Sequence, residues 1–436
     1  MIQDIRTRYQ RELESLYSLQ KFGIKLGLSS IANLLRDLGN PQEGRPCIHI
    51  AGTNGKGSVA AFLSSILQRA GYRVGLYTSP HLVRFSERFQ INSREIEPEE
   101  VIRLVQKVRR VMNADEPPTF FEAVTAMALT YFAEAGTDLD IIETGMGGRL
   151  DATNLVQPLV TMITNISLEH QDYLGGSLEA IAREKAGIVK PGIPVVSGAR
   201  QPRVQDLLGA VCRELSAPLY VAGRDFRVRS ARTGLHYFGL QQKLNRLRLG
   251  LPGPHQAENA GLALAGIELL AERGLHIGEQ AIREGLEQAR WPGRMHLLPG
   301  RPRILLDGAH NAAAVASLAR GLREGFNFSR LLLVIGIMAD KDAGKILGQL
   351  LPLAEQVIYT RPVYERAMEP ARLQEFGRRF GTPGEVIQPL QAALDRAREM
   401  ARGDDLIVVT GSLFTVGEAL SLLCPEQGLP EGGGGC

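Results

Sequence analysis

The chain has 436 residues, more than one domain of ordinary size holds, and 44% of them are hydrophobic, enough for a sizeable core. Its formal net charge is +3 with both signs mixed along the sequence, which gives no ground for nucleic acid or an anionic membrane as partner. Four cysteines, Cys47, Cys212, Cys424 and Cys436, lack metal-ligand spacing and read as free thiols of a cytoplasmic protein.

Residues 1–16 are charged and helical in pattern, unlike a signal peptide, and no apolar run approaches the ~20 residues that span a bilayer. Leu26, Leu28, Ile31, Leu34, Leu35 and Leu38 form a helical stripe that Gly39-Asn40-Pro41 ends. Next comes the apolar run Ile48-His49-Ile50-Ala51, then Gly52-Thr53-Asn54-Gly55-Lys56-Gly57-Ser58, then helical spacing at Val59, Phe62, Leu63, Ile66 and Leu67. The order is strand, phosphate loop, helix. Glycines let backbone N–H groups turn toward phosphate oxygens, and the helix start adds partial positive charge. Asn54, Gly55, Lys56, Gly57 and Ser58 are the candidate ATP contacts. Lys56 can neutralise the β- and γ-phosphates, and Ser58 can place a hydroxyl on Mg²⁺. The common form GxxxxGK[ST] is altered here: Gly57 separates the lysine from the hydroxyl, and Ile50 stands where the first glycine would be.

Residues 73–78 form a second strand that runs into Ser79-Pro80-His81. A small hairpin at 89–96, a helix from Pro98 to about 111 and another at 120–132 behind Thr119 follow. Residues 138–143 are a strand ending in Glu143, ahead of a glycine-rich stretch at 144–154. Residues 159–164 are the next strand, 165–176 a loop, 177–187 a helix and 194–196 a strand. This pattern is α/β, a mostly parallel sheet wound with helices. Residues 226–249 change to short alternating strands, read as a small antiparallel sheet, and 255–271 and 278–289 are helices. Trp291-Pro292-Gly293 and Pro299-Gly300-Arg301-Pro302 crowd the chain with breakers, so the domain boundary is placed at 295/296. Residues 296–424 form a smaller Rossmann-like α/β domain with strands at 303–306, 331–335, 356–359 and 406–409. Residues 425–436, with four glycines, read as a flexible tail.

Strand ends of the first domain carry the polar residues that chemistry needs. Ser79 follows one, Glu143 ends another, and the loop after a third holds Asn165, Glu169, His170 and Asp172. In a parallel sheet these ends converge on the phosphate loop, where a hydroxyl, a carboxylate and an imidazole suit Mg²⁺. Alone, His170 is a polar loop histidine and Ser79 a turn cap. Lys185, near the end of its helix, reads from the sequence as a solvated lysine favoured by the helix dipole. In the second domain Asp307-Gly308-Ala309-His310-Asn311 stands at a strand end. Asn311 there could be only a cap, and Arg294 only a surface charge.

Taken together, six stretches resemble the folylpolyglutamate synthase and dihydrofolate synthase family, ATP-dependent ligases related to the Mur peptide ligases. They are HIAGTNGKGS from His49, YTSPHLVRFSER from Tyr77, ETGMGGRLDATN from Glu143, EKAGIVK from Glu184, DGAHN from Asp307 and TGSLF from Thr410. They span nearly the whole chain in order. The extra glycine in the phosphate loop is similar to the family's own form. The resemblance implies that Ser58, Ser79, Glu143, His170 and Lys185 hold Mg²⁺, two ions in all, with Lys185 carried as a carbamate. It implies ATP contacts from Asn259, Arg294 and Asp307, and places His310 near the γ-phosphate and the glutamate. It assigns the pterin substrate to Thr119, Phe120, Phe121, Glu122, Leu150, Asp151 and Ala152, and less securely to the segment around Leu26-Gly27-Leu28.

The implied reaction is amide formation. A substrate carboxylate takes the γ-phosphoryl group of ATP, and the amine of L-glutamate displaces phosphate from the acyl phosphate. The two domains are expected to close around that intermediate. Dihydropteroate and reduced folates are the implied acceptors, with the protein acting as a monomer. Folylpolyglutamate synthesis alone, a Mur-type peptide ligase and a non-catalytic nucleotide switch are the rival readings.

Overall fold

The computed structural model describes residues 2–23, 27–113, 115–382 and 384–425. Leu26 and nearly all of the tail at 425–436 lie outside these described residues. The chain forms two compact units. One comprises Met1–His81, Phe85–Gly250 and Ala257–Ala289, and the other Leu82–Arg84, Leu251–Gln256 and everything from Arg290.

The first unit is built on an eight-stranded sheet. Its strands in chain order are β1 Cys47–Ala51, β2 Val74–Tyr77, β3 Phe89–Ile91, β4 Arg94–Glu95, β5 Leu139–Glu143, β6 Val160–Ile163, β7 Val195–Ser197 and β8 Leu219–Val221. The spatial order is β4-β3-β2-β5-β1-β6-β7-β8. All neighbours from β2 to β8 run parallel, and β3 and β4 add an antiparallel edge. β1 sits mid-sheet, with Ile50 beside Glu143 of β5 and Ala51 beside Ile163 of β6. Helices cover both faces of such a sheet, so its strands read as continuous apolar runs, and all five residues of β1 are buried. The phosphate loop thus leaves the sheet where the connections diverge to either side, the usual place for a ligand.

Local chemistry sets the helices. Pro98 opens Pro98–Val111, with Glu99 and Glu100 in its first turn and Arg109 and Arg110 in its last, the order the helix dipole favours. Thr119 caps Phe120–Ala135 in a reciprocal box: its hydroxyl accepts from the Glu122 amide at 3.2 Å, and the Glu122 carboxylate accepts from the Thr119 amide at 2.7 Å. A separate three-stranded antiparallel sheet holds β9 Arg227–Ala231, β10 Gly234–Phe238 and β11 Lys243–Leu247.

Among the described residues the second unit has six strands, two more than the sequence reading placed there. They are β12 His296–Leu298, β13 Arg303–Asp307, β14 Leu331–Ile335, β15 Gln356–Tyr359, β16 Glu385–Val386 and β17 Leu406–Thr410, in the order β12-β13-β17-β14-β15-β16. β12 pairs antiparallel with β13, and the rest are parallel. Two further departures fall in the first unit. Residues 165–176 are not all loop, since Gln171–Leu174 is a short helix. Helix Pro202–Glu214 and β8 follow β7 where the sequence reading placed nothing.

Candidate active site

The phosphate loop is laced to the end of β6. The Thr53 amide donates to the Asn165 carbonyl at 2.9 Å, and the Asn54 amide to Asn165 Oδ1 at 3.0 Å. Thr164 Oγ1 and Asn165 Nδ2 both donate to the Asn54 carbonyl, at 2.6 and 3.1 Å. Gly52, at φ +150°, lies so close to this strand that an added Cβ would fall 1.9 Å from Thr164 Oγ1. Thr164 and Asn165 are therefore as much a part of the loop as its glycines. The sequence reading gave Thr164 to the strand and Asn165 to the following loop.

Gly55 caps helix Lys56–Arg69 at φ +84°, a left-handed backbone that glycine adopts without strain. A Cβ on it would meet Asn259 Oδ1 at 2.6 Å, so Asn259, itself buried, stands directly against the loop. Gly55→Ala should cost about 1–3 kcal/mol in backbone strain and push Asn259 aside. The expected result is a higher KM for ATP with a fold that still melts cooperatively, read by kinetics and calorimetry.

Lys56 turns back over the loop. Its Nζ lies 3.2 Å from the Gly52 carbonyl and 3.8 Å from Glu143 Oε1. The other oxygen of Glu143 accepts from the Ser79 amide at 3.4 Å. Three neighbouring strand ends thus bring Lys56, Glu143 and Ser79 to one point. Ser58 is buried on the first turn of the same helix.

Lys185 corrects the reading of a solvated helix-end lysine. It is only 4% exposed, and its Nζ donates to the Gly52 carbonyl at 2.9 Å, so Lys56 and Lys185 converge on one oxygen. Its pKa is lowered to about 7, chiefly by burial and also by the nearby Lys56, with Glu169 and Asp151 opposing the shift. Glu169 is buried, whereas its neighbour His170 is exposed at φ +52°, heading the helix Gln171–Leu174. Buried Glu169 was named in the sequence only as part of a loop.

The segments matched to the pterin substrate divide by role. Thr119 and Glu122 are engaged in the capping box. The Phe121 ring packs on Gly145, where an added Cβ would meet its Cζ at 2.5 Å, and lies 6.3 Å from the Tyr77 ring. Phe120 stacks on Tyr17 at 5.3 Å. Asp151 is buried, accepts from the amides of Met146 at 2.9 Å and Thr153 at 3.0 Å, and is followed by Ala152 in a short turn of helix. Leu150 is half-buried beside it.

In the second unit Asp307, at the end of β13, accepts from the amides of Met295 at 2.8 Å and Ala309 at 2.9 Å. The Arg294 guanidinium packs on Gly308, whose Cβ would lie 2.6 Å from Nη1. His310 Nδ1 donates to the Gly308 carbonyl at 2.8 Å, which leaves Nε2 as the ring's second functional nitrogen. Asn311 caps helix Ala312–Gly325 by accepting from the Ala314 amide at 2.9 Å.

Among the described residues no three His, Cys, Asp or Glu side chains are grouped to hold a metal, and no helix is long and apolar enough to cross a membrane. The oxygens of Glu143 and Ser58 beside a phosphate loop nevertheless fit Mg²⁺. That ion keeps several waters and takes one or two carboxylates with phosphate oxygens.

Residues 50–267 match the Mur ligase middle domain, and residues 293–413 the Mur ligase glutamate ligase domain. The chain is 35% identical over 429 residues to the dihydrofolate synthase/folylpolyglutamate synthase of Bacillus subtilis, covering 94% of this chain and 98% of that one. It is similar to the solved structure of Escherichia coli FolC in complex with DHPP and ADP, with a TM-score of 0.87 at 32% identity over 95% of this chain and 98% of that one. It is also similar to a solved bifunctional folylpolyglutamate synthase/dihydrofolate synthase with Mn, AMPPNP and L-glutamate bound, with a TM-score of 0.84 at 32% identity over 94% and 98% of the two chains. Two successive Mur ligase domains and similarity along nearly the whole of both chains give one conclusion: this protein belongs to the folylpolyglutamate synthase/dihydrofolate synthase family of Mur ligases.

Proposed function

We propose that the chain is an ATP-dependent ligase that joins L-glutamate by an amide bond to dihydropteroate and to reduced folates. The observation that carries this reading is the meeting of Lys56, Glu143 and the Ser79 amide at the mouth of the phosphate loop, in a chain similar end to end to enzymes of that name. A carboxylate is a poor acceptor for an amine because oxide is a poor leaving group. Transfer of the γ-phosphoryl group to it makes phosphate the leaving group, and the glutamate amine then attacks the acyl carbon.

The chain's residues serve that sequence by placement and charge. The loop amides from Asn54 to Ser58 and the Lys56 ammonium receive the phosphates, with Asn259 beside Gly55. Glu143 and Ser58, together with Ser79, His170 and Lys185, would hold Mg²⁺, which when bound spreads the charge that builds on the phosphoryl oxygens. Asp307, fixed by two backbone amides, and Arg294 are proposed to contact the nucleotide. His310, held through Nδ1 by the Gly308 carbonyl, is proposed to meet the γ-phosphate and the incoming glutamate. Phe121, Asp151 and Ala152 are proposed to hold the pterin ring. We further propose action as a monomer in the cytoplasm on small molecules alone, in keeping with the buried thiols of Cys47 and Cys212.

The test is a product assay with purified protein, ATP and L-glutamate, offering dihydropteroate and tetrahydrofolate separately. Both should acquire glutamate with one ADP released per bond. Turnover of tetrahydrofolate alone would remove the dihydrofolate synthase half, and ADP release that ignores both acceptors would sink the ligase reading.

A further inference from the structure

One residue of the phosphate-loop strand has no duty in the reading above. His49 lies mid-strand in β1, between Ile48 and Ile50, and is 0% exposed. Buried imidazole is costly unless both ring nitrogens are satisfied. Here only Nε2 has a partner, Thr153 Oγ1 at 2.8 Å, while Nδ1 is buried without one. An aliphatic residue would serve a parallel core strand better, so packing does not account for the histidine.

The contact beyond it gives the reason. Thr153 is itself 0% exposed, and its hydroxyl lies 2.6 Å from Asp151 Oδ1. Asp151 Oδ1 also accepts from the Thr153 amide and Oδ2 from the Met146 amide, so both carboxylate oxygens act as acceptors. The single hydroxyl proton of Thr153 therefore goes to Asp151, and its oxygen accepts from His49 Nε2–H. That fixes the tautomer and leaves Nδ1 bare, which agrees with its lack of a partner. Burial also keeps the ring neutral, with a pKa near 3. The three side chains form one directed chain, imidazole to hydroxyl to carboxylate, in which each bond strengthens the next.

We infer that His49 is a positioning residue for substrate binding, which acts through the Thr153 hydroxyl to fix the orientation of the Asp151 carboxylate toward the N–H donors of the substrate's pterin ring. This rests on the proposed role of Asp151. His49 touches no substrate. It stops the threonine hydroxyl from rotating, and so holds the lone pairs of Asp151 that remain for the ligand.

The experiment compares His49→Leu, His49→Gln, Thr153→Val and Asp151→Asn by dihydropteroate affinity and by KM for ATP. A lost hydrogen bond of this kind predicts about a tenfold weaker dihydropteroate affinity for His49→Leu, with the KM for ATP within about twofold. His49→Gln, whose amide N–H reaches the place of Nε2–H, should recover most of the loss. Thr153→Val should match His49→Leu, and the double variant should be no worse than either, because one chain is broken in each case. A role in packing alone would lower melting temperature without this split or rescue. Wild-type affinity in His49→Leu alongside a loss in Asp151→Asn overturns this inference and leaves the pterin role of Asp151 standing. Wild-type affinity in Asp151→Asn overturns both. Should His49→Leu fail to fold, ¹⁵N-histidine spectra of the unaltered protein decide: a neutral ring protonated at Nε2 that shifts on adding dihydropteroate is expected, and a ring protonated at Nδ1 overturns the chain.

Discussion

Lys56→Ala should lower the turnover of glutamate ligation by about a thousandfold, the scale set by removing one preorganised group from a developing negative charge. Lys56 is the one ammonium that the loop itself carries, and Nζ lies 3.8 Å from Glu143 and 3.2 Å from the Gly52 carbonyl. Its removal also takes a cation from a carboxylate that is only 5% exposed. Part of the loss will therefore be a weaker hold on the nucleotide, and the melting temperature should fall slightly as well. Single-turnover measurement at saturating ATP separates the two parts. A variant that keeps wild-type turnover there would show that the phosphoryl group is stabilised elsewhere.

Lys185→Arg should be nearly as damaging, and for a different reason. A solvated helix-end lysine would tolerate arginine. Lys185 is buried against the Gly52 carbonyl beside Lys56, and its pKa of about 7 leaves much of the amine neutral at working pH. A neutral amine is what reaction with CO₂ requires, and the carbamate it forms would offer anionic oxygens of the type Mg²⁺ takes. Arginine can neither be carbamylated nor lose its charge, so a loss of two to three orders of magnitude in turnover is expected, about the scale of one electrostatic contact. Lys185→Ala should regain part of its activity with small carboxylic acids, and a fully active Lys185→Arg enzyme in bicarbonate would end the carbamate idea. The same burial makes a stability claim. The unfolded lysine titrates near 10.5 and the folded one near 7. Stability is therefore full above 10.5 and is lost as pH falls toward 7, because the unfolded chain binds the proton first. In CO₂-free buffer, urea unfolding should show that slope, and Lys185→Met should flatten it.

Much of the fold could be read from the chain because buried parallel strands carry apolar runs and meet a glycine within two residues of their ends, as β1, β5 and β13 do. Helix Pro202–Glu214 escaped although its stripe of Val204, Leu208 and Cys212 is regular, with Pro202 at its start. β12 escaped because three residues among prolines and glycines carry no periodicity, and only its pairing with β13 makes it a strand. The site divides the same way. Lys56, Ser58 and Glu143 announce themselves by position in a motif. The burial of Lys185, the hold of Thr164 and Asn165 on the loop, and the link from His49 to Asp151 depend on residues about 100 or more positions apart, which no local pattern carries.

The interleaved chain of the second unit has a consequence for inheritance. Leu82–Arg84 and Leu251–Gln256 belong to that unit although both come from stretches of sequence that otherwise build the first. Leu82 and Val83 pack on the cluster containing Val416 and Leu420, and the Leu82 carbonyl lies so near Gly417 that a Cβ there would come within 1.9 Å. The breaker-rich stretch after residue 290 looks like a seam where a gene could be cut and its halves exchanged. A polypeptide begun there would lack the plug over Val416 and Leu420, and should aggregate through the apolar face left bare. Recombination at that seam between relatives would join a plug from one parent to a socket from the other. Such hybrids should survive only where residues 82–84 and the helix Leu413–Leu423 come from the same parent, so the two stretches are expected to change together, more than 300 residues apart in the gene product.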